Sequence, residues 1–178
     1  NSNLLPWQRF KHEIVKSRPD MTFDFGAFEK QVRGAKLVAM VHTSNLDGYT
    51  LPAKEITKIA HDNGALVLLD AAQSVPHKPI DAARLGADFL AFSGHKMLGP
   101  TGTGVLYGRY ELLEKMDTFL VGGDTVIDST YDSAKFEKPP EKFEAGLQDY
   151  AGIIGMAEAA RYLMDIRGEI EKHELDLN

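Results

Sequence analysis

The 178-residue chain contains no cysteine. That excludes disulfides, cysteine-ligated metals and a catalytic thiol within it. Positive charge is in deficit, with 20 Lys and Arg against 26 Asp and Glu and a formal net charge of −6. This is not the footprint of a nucleic-acid or anionic-membrane binder. No apolar run approaches the roughly 18 residues of a transmembrane helix. The first residues, N-S-N-L-L-P-W-Q-R-F, lack the charged start and apolar core of a signal peptide, so the cytoplasm is the expected compartment. The six histidines are scattered and no H-E-x-x-H occurs, so no metal-ligand spacing is present. Internal repeats and low-complexity tracts are also missing.

The composition that remains, 43% hydrophobic and 26% charged, is that of an ordinary globular protein, and 1–178 reads as a single domain. Short continuous apolar runs at Leu37 to Val41, Leu66 to Leu69, Phe89 to Phe92 and Val105 to Tyr107 predict buried strands. Helical spacing predicts helices over Leu4 to Lys16, Phe25 to Val32, Pro52 to His61, Tyr110 to Met116 and Ala151 to Ile166. Ile80 to Leu85 reads as a short helix or turn. Thr118 to Pro140 reads as a long loop, Lys142 to Glu144 as a short strand, and the end of the chain as a polar stretch with no sheet partner. Strands alternating with helices of about ten residues argue for an α/β fold: three layers, a mostly parallel sheet with helices on both faces.

In such sheets sites gather outside the carboxyl ends of the strands. Three strand ends here carry polar groups: Asn45, then Asp70 with Gln73, then Ser93, His95 and Lys96. Most lysines lie on the surface. Lys96 is singled out because it directly follows a buried strand and precedes the glycine loop G-P-T-G-T-G at 99–104. An amine held in a desolvated pocket has a lowered pKa and can condense with a carbonyl. Asp70 could serve as a helix N-cap or bind a ribose, but no G-x-G-x-x-G precedes it. A third role is to keep a pyridine nitrogen protonated, which makes the ring an electron sink. The glycine loop is no P-loop, since no G-K-[ST] closes it and a strand follows it. His95 gains a role as an anion donor from Ser93 and Lys96 beside it.

These residues together resemble the class V aminotransferase family of pyridoxal-phosphate enzymes, in its cysteine desulfurase and selenocysteine lyase branch. The matching stretches are S-N-L-L-P-W-Q at 2–8, V-H-T-S-N-L-D-G at 41–48, V-L-L-D-A-A-Q-S-V-P-H at 67–77, F-S-G-H-K-M-L-G-P-T-G-T-G-V-L-Y at 92–107, K-F-E-A-G at 142–146 and A-G-I-I-G at 151–155. D-x-A-Q with S-G-H-K is the most diagnostic pair. The resemblance implies the large domain of the fold type I transferases and pyridoxal 5'-phosphate as cofactor. It implies that Lys96 forms the internal aldimine and later moves protons at the substrate α-carbon. Asp70 would pair with the pyridine nitrogen. Gln73 and Asn45 would bond the phenolic oxygen, Ala72 would pack on the ring face, and Ser93 and His95 would hold the phosphate.

The resemblance further implies a homodimer, with the K-F-E-A-G turn and the Thr118–Pro140 loop at its interface. Leu147 stands where the family often has a threonine that contacts phosphate across that interface. The family's chains are roughly twice this length, so the sequence resembles a central large-domain segment. The N-terminal phosphate loop and ring-stacking histidine are expected before Asn1. The catalytic cysteine and the arginine for the substrate carboxylate are expected after Asn178. L-cysteine is the substrate implied first, with sulfur passing to an enzyme thiol and on to an acceptor protein for iron–sulfur cluster assembly. A true aminotransferase, a β-eliminating lyase, and a non-catalytic fragment that keeps the fold stay open at this point.

Overall fold

The computed structural model describes residues 2–177. The single-domain reading also takes in Asn1 and Asn178, which lie outside that range. The elements in order are α1 (Phe25–Gln31), β1 (Leu37–Val41), α2 (Ala53–Asp62), β2 (Leu66–Asp70), α3 (Ala82–Leu85), β3 (Phe89–Ser93), β4 (Gly104–Gly108), α4 (Tyr110–Lys115), β5 (Val126–Ser129), β6 (Ala134–Phe136) and α5 (Tyr150–Leu177). Strands β1 to β4 form one sheet in that order. The first three are parallel and β4 returns antiparallel to β3. The molecule is thus α/β, with a mostly parallel sheet flanked by helices.

Local chemistry sets the boundaries. Asp24 caps α1 by accepting the Ala27 amide at 3.0 Å, and Asp81 caps α3 by accepting the Arg84 amide at 2.9 Å. Pro52 opens α2 where its missing N–H is no loss. Gly64, at φ 77°, closes α2 in the left-handed conformation that suits glycine.

Side chains alternate across the sheet. Met40, Val67, Leu69 and Leu90 turn toward α1 and α2, where Phe28, Val32, Ile56 and Ala60 complete the core. Register then sends Ala39, Leu68, Asp70, Ala91 and Ser93 to the other face. Asp88, fully buried just ahead of β3, ties the lower end of the sheet together. Its carboxylate accepts the Val67 amide at 2.8 Å and pairs with His61 at 2.8 Å and Arg109 at 3.0 Å.

Four expectations from the sequence need correction. The first helix is only a 3-10 turn, Leu5–Arg9, after which the backbone is extended at Phe10. The apolar set that suggested a longer helix does not share one buried face: Val15 packs against the core, while Phe10 and Ile14 are exposed. The 118–140 stretch is not structureless, because β5 and β6 pair as an antiparallel hairpin. Buried Thr125 anchors that hairpin, its hydroxyl donating to the Gly122 carbonyl at 2.7 Å and its carbonyl receiving the Glu137 amide at 2.9 Å. Residues Glu141–Phe143 form a 3-10 turn rather than a strand. Lys142 there caps α4, donating to the carbonyl of Met116 at 2.6 Å. Lastly, the polar C-terminal stretch continues α5 through Leu177, where Glu174 pairs with His77 from the segment after β2. Among the described residues, no helix is long and apolar enough to cross a membrane.

Candidate functional site

The site is built at the carboxyl ends of β1, β2 and β3. Asp70 ends β2 with Val41 of β1 beside it on one side and Ala91 of β3 on the other. Its carbonyl accepts the His42 amide at 2.8 Å, and the Ala71 amide donates to the Ala91 carbonyl at 2.8 Å. The three strand ends are therefore stitched one residue beyond the ladders. The Asp70 carboxylate accepts the Ala72 amide through Oδ1 at 3.1 Å. That single contact orients the group and leaves Oδ2 for another donor.

Ala72 and Gln73 lie half-buried in the turns that follow, above buried Ala71 and Ser74. Ser93 ends β3 two residues after Ala91, on the same sheet face as Asp70. Next comes the 3-10 turn Gly94–Met97. Residues three apart on such a turn share a face. Gly94 and Met97 take the inner one, and His95 and Lys96 are therefore exposed. The desolvated lysine pocket expected from the sequence is not found among the described residues, because the turn aims Lys96 outward.

Asn45 sits exposed in a turn after β1, held by the Gly48 amide donating to the Ser44 carbonyl at 3.1 Å. Among the described residues, the side chains of Asn45, Gln73, Ser93, His95 and Lys96 make no hydrogen bonds with one another. Register thus brings Asp70 and Ser93 to one face; Lys96 follows in the turn three residues after Ser93, and Asn45 in the turn after β1. The crevice between α1 and α2, lined by Phe25, Glu29, Glu55, Lys58 and Ile59, lies on the core side, away from these strand ends.

Two features escaped the sequence reading. His42 is 6% exposed, and its Nδ1 is buried without a hydrogen-bond partner. Burial, and then the charge of Lys78, hold its imidazole below the usual pKa of 6.5. Lys78 donates to the Thr50 hydroxyl at 2.8 Å. Thr103, within the glycine loop, bonds the lysine turn itself, its carbonyl receiving the Gly94 amide at 2.8 Å. A lone histidine in V-H-T-S-N carries no periodic signal, and a threonine between glycines reads as loop.

The whole chain, residues 1–178, matches the family model described as aminotransferase class-V. It is 43% identical to a probable cysteine desulfurase 2 of Mycobacterium leprae, over 99% of this chain and 44% of the relative. A probable cysteine desulfurase of Halalkalibacterium halodurans is 45% identical over 99% of this chain and 46% of its own. Among solved structures, an apo cysteine desulfurase from Thermococcus onnurineus superposes with a TM-score of 0.94 at 44% identity, covering 99% of this chain and 46% of that one. The chain thus spans less than half the length of these relatives. With its full length matched and its fold shared, the chain belongs to the aminotransferase class-V family, whose members depend on pyridoxal phosphate.

Proposed function

We propose that this chain is the cofactor-binding segment of a pyridoxal-phosphate-dependent cysteine desulfurase. The observation that carries the reading is the placement of Lys96 one turn beyond β3 while Asp70 closes the neighbouring strand β2. The names of these relatives support the same reaction. The donor set fits the cofactor. An amine suits its aldehyde, a carboxylate its ring nitrogen, and a hydroxyl with an imidazole its phosphate. When bound, the cofactor supplies an electron sink for charge developing at the substrate α-carbon.

The chain's own residues would divide the work. Lys96 Nζ would hold the cofactor through its aldehyde and, once freed by the incoming substrate amine, would move the proton at the substrate α-carbon. Asp70, oriented by the Ala72 amide, keeps the ring nitrogen protonated. Gln73 and Asn45 hydrogen-bond the phenolic oxygen, and Ala72 packs against the ring face. Ser93 and His95 bind the phosphate. L-cysteine is the proposed substrate, and L-alanine the product once its C–S bond is broken. The chain has no cysteine, so the thiol that takes the sulfur comes from outside it, as does any acceptor protein of iron–sulfur cluster assembly. A homodimer in the cytoplasm completes the reading.

The test is spectroscopic. The purified chain is mixed with pyridoxal phosphate and its visible absorbance recorded beside that of Lys96→Ala. A band present in the parent and absent in the variant supports the assignment. A band equally strong in both sinks it. Adding L-cysteine and L-aspartate separately then tests the substrate, and a response to both alike would favour an aminotransferase instead.

A further inference from the structure

The loop that carries Lys96 is closed by one side chain. The Thr103 hydroxyl donates to the Pro100 carbonyl at 2.7 Å, and the Thr103 carbonyl receives the Gly94 amide at 2.8 Å. The Gly94 carbonyl in turn receives the Gly99 amide at 2.9 Å and the Leu98 amide. Entry and exit of the lysine turn therefore meet at Thr103. The threonine also fits where little else would. Its hydroxyl lies directly over Gly94, which is buried, so that a β-carbon on Gly94 would collide with it. Its methyl lies against α5, 2.8 Å from where a β-carbon on buried Gly152 would stand. Leu98 is held at φ 65°, a conformation that a residue with a β-carbon keeps only when its surroundings impose it. The hydrogen bonds around Gly94 are what impose it here.

We propose that Thr103 is a positioning residue for Lys96: its hydroxyl and carbonyl clamp the two ends of the turn that presents the amine. The proposal rests on the assignment of Lys96 as the reactive lysine. Thr103 touches neither the substrate nor the reacting atoms. It acts by limiting where the turn from Gly94 to Met97 can stand relative to Asp70. The hydroxyl is the working part, because the Pro100 carbonyl otherwise loses its donor while the shape of the side chain can be kept.

The experiment compares the parent chain with Thr103→Val, which keeps the shape and removes the hydroxyl, and Thr103→Ser, which keeps the hydroxyl. Each is treated with pyridoxal phosphate and borohydride. Label at Lys96 is then measured against the other lysine peptides of the same digest. Amide exchange at Gly94 and Gly99 is followed in parallel, without cofactor. Selective labelling of Lys96 should fall about fivefold in Thr103→Val, the scale set by one lost hydrogen bond. It should stay within about twofold of the parent in Thr103→Ser, with amide exchange faster only in the valine variant. Unchanged labelling or unchanged exchange in a folded Thr103→Val overturns the proposal, and Thr103→Ala replaces it if the valine variant does not fold. A parent chain that shows no preference for Lys96, with exchange still faster in the valine variant, overturns the lysine assignment and the positioning role together. The clamp would then be structural alone.

Discussion

The amide of His42 donates to the carbonyl of Asp70 at 2.8 Å, joining the ends of β1 and β2 directly beneath the candidate site. The His42 imidazole is buried and neutral by preference, its pKa lowered by burial and then by Lys78. Above about pH 6.5 the imidazole is neutral in both the folded and the unfolded chain. Below that value the unfolded chain takes up a proton that the folded chain resists. Stability is therefore fully present above the unfolded pKa and falls as pH drops toward the lowered folded value. The exposed carboxyls with lowered values are Asp20 and Asp47, which start from 3.8, and Glu111, which starts from 4.5, and all three act only in stronger acid. Urea unfolding at pH 7.5 and 5.5 should show the loss in the parent chain and a smaller one in His42→Gln. Equal losses in both would remove His42 as the cause.

Asp88 lies at the other end of β3 from the candidate site. A five-residue strand at about 3.3 Å per residue separates it from Ser93 by roughly 16 Å. Its carboxylate is fully buried, whereas the side chains of His61 and Arg109 reach solvent. Truncating it leaves those two side chains free to hydrate but strands the Val67 amide in the core. Asp88→Ala should cost about 1–3 kcal/mol for that buried donor. It should leave the reactivity of Lys96 unchanged. Denaturant melts and lysine labelling check the two halves separately, and a loss of labelling in the folded variant would show that the lower end of the sheet governs the site.

The core and the hairpin should respond unequally to the same truncation. Ile56 is 1% exposed and packs between α2 and the sheet, while Ile127 in β5 is 53% exposed. Ile56→Ala should lose about 2–5 kcal/mol through lost burial and the cavity left behind. Ile127→Ala should stay within about 0.5 kcal/mol of the parent. Calorimetric melting of the two variants tests this, and a costly Ile127→Ala would mean that β5 buries that side chain against a partner.

The parts of the fold legible in the sequence were those that local pattern determines. The run Leu37 to Val41 is β1 to the residue, and Asp70 and Ser93 terminate β2 and β3 because polar groups cannot continue into a buried layer. Pro52 and Gly64 bracket α2 for backbone reasons that need no tertiary context. What failed depended on packing. The spacing of Leu4 to Val15 looked helical, but a periodic face makes a helix only where a core receives it. The Thr118–Pro140 stretch hid a hairpin because its strands are mostly exposed and carry no alternation. The positions of Asp70 and Lys96 at and just beyond strand ends were readable from residue type. The contacts of His42 and Thr103 were not, because they depend on what those residues touch.

Leu147 offers a test of the proposed dimer that requires no cofactor. It is 88% exposed directly after Gly146, which turns the chain at φ 77°. Phe119, in the segment leading to the hairpin, is 93% exposed, with Leu120 and Val121 also exposed beside it. Large apolar side chains so open to water cost nothing to replace in an isolated chain, since they bury no area within it. In a dimer that covers them, the same replacements remove apolar burial worth about 1.5–3 kcal/mol for each side chain. Phe119→Asp combined with Leu147→Asp should therefore leave the melting temperature of the dilute chain unchanged while weakening self-association in sedimentation equilibrium by about a hundredfold or more. A pair of substitutions that lowers the melting temperature but leaves the association constant where it was would place these residues in the fold of one chain rather than between two.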